Sequence, residues 1–123
     1  MELEKQKEQI TKPNFSIKII NTGVDRYEKA YWVGIVNVKN HDEYKKYTDI
    51  AGPALIAAGA KILSRGGKII NLEGKEMNRL VVIEFPSMEH AESFYNSDEY
   101  KKGLRYLNSD VCDRFLNIAE GLD

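Results

Sequence analysis

Four short hydrophobic runs are the most regular feature of this sequence. They cover residues 31–38, 60–65, 79–85 and 111–118 and are rich in aromatic and β-branched side chains. Such residues suit a pleated, half-buried surface, so each run predicts a strand. The third run is the most apolar, which predicts a central strand. Gly66-Gly67 interrupts the second run and predicts a bulge, beyond which residues 68–72 are expected to continue the strand.

Hydrophobic residues at helical spacing separate the first two runs. They are Tyr44, Tyr47, Ala51, Ala54, Leu55 and Ala58. Asn40 with Glu43 three residues later is a variant of the capping box and predicts where this helix starts. Gly59 is the predicted terminator. Pro53 lacks a backbone donor, so we expect a kink or a restart there.

Two further helices are predicted between the third and fourth runs. Ser87 is the predicted cap of the first of these helices, and Ser97 is the predicted cap of the second. The buried face of the first is expected to comprise Ala91, Phe94 and Tyr95.

The resulting order, β-α-β-β-α-β, predicts a ferredoxin-like α+β fold with an antiparallel sheet and the helices on one face. Along the third run, Leu80 and Val82 point to one side, while Val81, Ile83 and Phe85 point to the other. Both sides are apolar although helices cover only one. A sheet face that is apolar and uncovered needs a partner, and a second copy related by a two-fold axis is the simplest. We therefore expect a homodimer.

The N-terminal segment differs in character from the rest. Residues 1–29 form a polar extension; residues 1–12 are expected to be a frayed helix or disordered, and residues 15–20 an accessory strand. Residues 30–123 are the predicted domain.

Charge and cysteine content narrow the class of protein. The 123 residues include 18 basic and 19 acidic side chains, for a net charge of −1, without the basic excess typical of nucleic-acid binders. No apolar stretch reaches the ~20 residues of a membrane span. A single cysteine cannot form an internal disulfide, and the N-terminus is too polar for a signal peptide. We expect a cytoplasmic protein without nucleic-acid or membrane partners.

Several motifs, in a shared order, resemble the family called domain of unknown function 1330. They are Tyr44-x-x-Tyr47, Pro53, Gly59, Arg65-Gly66-Gly67, Glu73-Gly74, Arg79, Glu84-Phe85-Pro86-Ser87, Tyr95-x-Ser97-x-x-Tyr100 and Arg105. The resemblance covers roughly residues 30–120. It implies a dimeric α+β barrel, in which two ferredoxin-like subunits pack sheet to sheet. It implies no particular chemistry, because one fold hosts many functions.

The sequence gives little indication of a metal site or of a catalytic nucleophile. His41, His90 and Cys112 form no paired ligand motif, whereas a zinc site takes three or four ligands. Cys112 falls within a strand pattern and is expected to act as a small buried hydrophobe. We expect neither a metal nor a cofactor.

Glu84 is the residue that breaks the local pattern, because it lies between Ile83 and Phe85 at the end of the most apolar strand. One interpretation is a structural ion pair with Arg65 or Arg79, or a solvated strand end. The other is a general base or polar anchor in a pocket. We predict that Glu84 pairs with Arg65 near the mouth of a helix–sheet cavity.

The sequence thus predicts a homodimer that binds a small organic molecule. The candidate ligand-binding residues are Arg65, Glu84, Tyr95 and Tyr100, with Glu84 the candidate catalytic group. Two alternatives stay open at this point: a cofactor-free enzyme, and a non-catalytic module that binds a ligand or a partner.

Overall fold

A computed structural model describes residues 28–122 of the chain. Its elements are β1 (Ala30–Val38), α1 (His41–Ala57), β2 (Lys61–Arg65), β3 (Arg79–Phe85), α2 (Met88–Tyr95), α3 (Asp98–Leu104) and β4 (Cys112–Glu120). The predicted accessory strand over 15–20 lies outside the described residues, as does almost all of the predicted extension.

The four strands form one antiparallel sheet in the order β2-β3-β1-β4. This is the ferredoxin-like α+β arrangement, as predicted, and β3 is an inner strand. Residues alternate between the two faces of the sheet along each strand. The face that carries Trp32 is covered by helices, and the Trp32 indole Nε1 donates a hydrogen bond to the Ala91 carbonyl of α2 at 3.1 Å.

All three helices begin at the predicted caps. The side chains of Asn40, Ser87 and Ser97 each accept a hydrogen bond from the backbone N–H three residues later. These bonds satisfy backbone N–H groups of the first helical turn, which have no acceptor within the helix itself. Within residues 28–122, no helix is both long and apolar enough for a membrane crossing.

The end of α1 is fixed by Gly59, which has a φ of 85°. The Gly59 N–H donates to the Ile56 carbonyl and the Ala60 N–H to the Leu55 carbonyl, each at 3.0 Å. This pair of bonds is a Schellman motif and confirms the predicted terminator. The restart considered at Pro53 does not occur, because α1 is one helix from His41 to Ala57.

The edge strand departs from the prediction. The irregularity in its pairing lies between Ile62 and Ser64, earlier than the predicted glycine bulge. Gly66, with φ of 69°, follows the last residue of β2. The predicted continuation over 68–72 is wrong, because no strand is present between 66 and 78.

A side chain replaces the missing strand pairing in this segment. The Asn71 side chain donates to the Met77 carbonyl at 2.9 Å and accepts from the Met77 N–H at 3.1 Å. An asparagine amide can thus pair with the backbone as a neighbouring strand would. Met77, which belongs to the same segment, is buried.

Candidate ligand-binding site

A small pocket lies between α1 and the helix-covered face of the sheet. Its lining combines apolar walls with polar ends: Trp32, Gly34, Val36, Tyr44, Tyr47, Thr48, Ala51, Gly52, Leu55, Arg65, Arg79, Val81, Ile83, Arg114 and Leu116. Arg65 is the only exposed residue of this lining, so the pocket opens on the side of the edge strand β2.

Gly34 forms part of the pocket floor. It lies on β1 opposite Val81 of β3 and Leu116 of β4. A Cβ atom at this position would lie 3.3 Å from the Leu116 Cδ1 atom and 3.9 Å from the Val81 Cβ atom. The absence of a side chain at position 34 therefore helps to keep the pocket open.

Register places two arginines on either side of one valine. Val36 of β1 pairs with Arg79 of β3 and with Arg114 of β4, so both arginines share the pocket face of the sheet. Arg65 of β2 lies opposite Val81 and belongs to the same face. The three arginines, hereafter the arginine arc, thus come from three different strands.

Arg114 is held by two tyrosine hydroxyls. Its Nη2 donates to the Tyr100 hydroxyl at 2.6 Å and to the Tyr47 hydroxyl at 2.8 Å. The two hydroxyl oxygens are themselves 2.8 Å apart. Each hydroxyl has one hydrogen, and the bond between them uses only one of the two. When Tyr100 donates to Tyr47, the Tyr47 hydrogen is available to the pocket that Tyr47 lines.

Protonation in this network follows from burial. Burial raises the pKa of Tyr47 well above its usual value of 10.0, against the opposing effect of Arg114. Burial likewise raises the pKa of Tyr44. For Arg114, burial alone would lower the pKa, but the neighbouring Tyr47 and Tyr100 oxygens outweigh it and keep the pKa above its usual range. At neutral pH the site therefore holds the charged guanidinium of Arg114 and the neutral phenols of Tyr44 and Tyr47.

Arg79 packs against an aromatic ring, and it donates no hydrogen bond to a residue in the described part of the chain. Its guanidinium carbon lies 5.2 Å from the centre of the Tyr44 ring, a cation–π contact. An added Cβ at Gly66 would come within 3.0 Å of the Arg79 Nη1 atom, so the glycine leaves room for this group. The Arg79 Nε is fully buried and finds no hydrogen-bond acceptor among residues 28–122.

The enclosed space is small. It leaves about 40 Å³ for the centres of water molecules, whereas pockets that enclose a drug-sized ligand measure roughly 300 Å³ or more. Any ligand larger than this space must extend through the opening beside Arg65.

The predicted pairing of Glu84 with Arg65 is wrong. Glu84 lies opposite Tyr31 and Lys61, on the other face of the sheet from Arg65. Its carboxylate forms an ion pair with Lys29 at 3.4 Å, and its side chain is 20% exposed. The prediction placed two residues of neighbouring strands together, but the irregularity after Ile62 puts Arg65 opposite Val81.

Of the other two predicted residues, Tyr100 is connected to the pocket and Tyr95 is not. Tyr100 is fully buried and reaches the pocket through the Tyr47 hydroxyl. Tyr95 was expected on the buried face of α2, yet it is 39% exposed and does not line the pocket. Its ring packs instead against two core aromatic rings, with centroid distances of 6.0 Å to Trp32 and 5.5 Å to Tyr100.

Three residues of the site were missed as ligand-binding candidates: Tyr47, Arg79 and Arg114. The signal for the arginines was present in the alternation of the strands. Arg114 falls on the inward-facing side of β4 with Cys112 and Leu116, and Arg79 falls on the side of Val81. A charged residue at an inward-facing position is uncommon unless it is paired, so each of these arginines was as strong a candidate as Glu84.

The histidines and the cysteine are not among the residues that line this pocket. His90 is exposed, and its Nδ1 lies 2.7 Å from the hydroxyl of the cap residue Ser87. Burial raises the pKa of the Cys112 thiol, as expected for a buried hydrophobe. Across the described part of the chain, no cluster of three or more His, Cys, Asp or Glu residues could hold a metal ion.

Comparison with known families agrees with the motifs in the sequence. The family described as "Domain of unknown function (DUF1330)" matches residues 29–122. The chain belongs to this family. The DUF1330 match covers every helix and strand described above and the whole pocket lining. Comparison with curated proteins gives no match.

Solved structures share the fold of this DUF1330 domain. RPA0582, a protein of unknown function from Rhodopseudomonas palustris, superposes with a TM-score of 0.62 at 16% identity, over 80% of this chain and 86% of that chain. The methylated form of RPA0582 superposes with a TM-score of 0.64 at 16% identity, over 80% of this chain and 84% of that chain. An uncharacterised NIPSNAP-like domain protein from Burkholderia xenovorans superposes with a TM-score of 0.50 at 11% identity, over 76% of this chain and 85% of that chain. At these identities the likeness is one of fold.

Proposed function

We propose that this protein is a cytoplasmic homodimer that binds a small organic molecule in the pocket beneath α1. The observation that carries the proposal is the convergence of hydrogen-bond donors on a space with apolar walls. Arg79, Arg114 and Tyr47 come from three separate elements and meet around the same small volume. A few convergent polar groups in an apolar pocket are typical of sites for small ligands.

Stability arguments support a binding role for these residues. A buried guanidinium without a counter-charge costs free energy in the empty protein. Functional sites often retain such unfavourable groups because a ligand needs them. The exposed rim residue Arg65 extends the same positive charge to the opening, where it would attract or orient an approaching molecule.

The pocket chemistry also suits a cofactor-free enzyme that stabilises negative charge on a substrate oxygen. A guanidinium with a phenol hydroxyl beside it is the kind of preorganised donor pair that such catalysis uses. The non-catalytic module uses the same donors for binding alone. Binding is therefore the shared and primary proposal.

The homodimer is supported by the open face of the sheet. Val33 is 38% exposed and Phe115 is 61% exposed, so no described element covers them. Register joins Val33 to Val82, and Ile35 to both Leu80 and Phe115, as one continuous apolar surface. These five residues with Tyr31, hereafter the open-face patch, are the surface that a second copy would cover.

A cavity-filling substitution tests the binding proposal. Gly34→Val puts a side chain into the pocket floor without changing charge. We expect small-molecule hits from a thermal-shift screen to stabilise the wild type, by about 2.7 kcal/mol at a hundredfold excess over Kd. That corresponds to a rise in Tm of roughly 10 °C for a domain of this size. The same hits should leave the Tm of Gly34→Val unchanged.

Gly67→Val is the matched control, since a Cβ there meets nothing within 4 Å. It should respond to the hits as the wild type does. If Gly34→Val does not fold, Gly34→Ala gives a graded test, with smaller shifts than the wild type expected. Hits that stabilise Gly34→Val as strongly as the wild type would overturn the proposed pocket.

A further inference from the structure

We propose that the group bound inside the pocket is a carboxylate, held between Arg79 and Arg114. This inference rests on the proposed function and specifies the chemical class of its ligand.

Charge is the first argument. Three of the lining residues are arginines, and the lining includes no acidic side chain. The ion pairs within residues 28–122 all use lysines, so none of the arginine arc is neutralised by a described carboxylate. An anionic ligand would therefore neutralise the positive charge of the arginine arc.

Unused donors are the second argument. A guanidinium carries five N–H groups. Among residues 28–122, Arg114 donates only to the two tyrosine hydroxyls, and neither Arg65 nor Arg79 donates a hydrogen bond. The buried Nε of Arg79 has no acceptor at all within this part of the chain. Arginine forks match the two oxygens of a carboxylate, and such charge-assisted bonds are about twice as strong as neutral ones.

The apolar walls favour an organic anion over an inorganic one. Most of the lining is apolar, including Trp32, Leu55 and Ile83. The hydrocarbon part of a carboxylate ligand can be buried against such side chains, whereas inorganic phosphate has no apolar surface to bury. The remainder of the ligand would then contact the apolar walls and leave through the opening beside Arg65.

A matched pair of probes tests the charge requirement. Benzoate and benzamide have nearly the same shape, but only benzoate is an anion at neutral pH. We expect an NMR titration at constant ionic strength to give a Kd at least tenfold lower for benzoate than for benzamide. Inorganic phosphate should bind at least tenfold more weakly than benzoate.

Substitution of Arg79 assigns the effect to the pocket. Arg79→Gln should weaken benzoate binding at least tenfold and leave benzamide binding within twofold. Arg105→Gln is the matched control, because it removes the same charge at a position outside the pocket. Arg105 is exposed and stacks on Tyr106. It should bind benzoate as the wild type does. If Arg79→Gln does not fold, Arg79→Lys keeps the charge but not the fork, and should still lose affinity.

The outcomes separate this inference from the proposed function. Equal binding of benzoate and benzamide at the pocket would overturn the carboxylate inference while leaving the pocket as a ligand site. Tighter binding of phosphate, or an equal effect of Arg79→Gln and Arg105→Gln, would overturn it as well. If neither aromatic probe binds, the inference fails, and the Gly34→Val screen decides the proposed function by itself.

Discussion

Tyr47, Tyr100 and Arg114 are the residues on which the site depends most. Their hydroxyl and guanidinium groups form a closed triangle with sides of 2.6 to 2.8 Å, contributed by α1, α3 and β4. The triangle connects three elements, and it uses only one of the two hydroxyl hydrogens. Because hydrogen bonds to charged groups contribute about 1.5–3 kcal/mol, it also stabilises the fold.

This arrangement makes stability sensitive to alkaline pH. The pKa of Tyr47 is raised in the folded state, so above about pH 10 the unfolded chain binds fewer protons than the folded chain. The free energy of unfolding should then fall as pH rises, by up to about 1.4 kcal/mol per pH unit for this one group. Urea unfolding of the wild type and Tyr47→Phe at a series of alkaline pH values measures this slope. The slope should be shallower in Tyr47→Phe, and identical slopes would contradict the assignment.

Single residues were the hardest features to predict from the sequence. Glu84 was predicted to be a pocket residue because it interrupts an apolar strand, yet it forms an ion pair with Lys29 on the opposite face of the sheet from the pocket. Arg79 and Arg114 lie on the inward side because of register, and register depends on which strands pair. The sequence shows alternation within a strand, but it does not show which arginines of different strands become neighbours.

Helix α1 is the element that creates the pocket, because it supplies the wall opposite the sheet. Its two ends were predictable, since caps are local and depend on residues a few positions apart: Asn40 with Glu43, and Gly59. The loop over 66–78 was not predictable by the same logic. There a side-chain amide of Asn71 takes the place of a strand, which short apolar runs do not reveal.

The C-terminal cap of α1 gives a prediction at this scale. Gly59→Ala should lower the free energy of unfolding by about 1 kcal/mol, because an alanine Cβ is strained at a φ of 85°. Space is not the cause, since a Cβ there meets nothing within 4 Å. Gly67→Ala, which has equal space and no positive φ, should leave stability unchanged or slightly raised. Equal losses in the two variants, measured by urea unfolding, would argue against the strained cap.

The whole molecule has a sheet with two different faces. The helix-covered face holds the core and the pocket, and the other face carries the open-face patch. The sequence predicted this asymmetry from the two-sided apolar pattern of residues 79–85, and the fold class followed from the order of elements. These features were predictable because hydrophobic period and element order are properties of the chain itself.

Dimer formation through the open-face patch predicts a clear effect of charge. Val33→Asp should convert the dimer to a monomer in sedimentation equilibrium at micromolar concentration, because it would bury an unpaired carboxylate in each subunit. The folded subunit should tolerate the change, since Val33 is 38% exposed within it. Ser93→Asp, on an exposed position of α2, adds the same charge to the other side of the molecule and should leave the dimer intact. A wild-type chain that sediments as a monomer would refute the homodimer.

The central claim is that the ligand binds on the helix-covered face of the sheet, and valine methyl NMR tests it most directly. Val36 and Val81 line the pocket, whereas Val33 and Val82 lie on the open face, so one spectrum reports on both faces. Addition of benzoate should shift the methyl signals of Val36 and Val81 and leave those of Val33 and Val82 in place. Shifts confined to Val33 and Val82 would place the ligand on the wrong face and contradict the account.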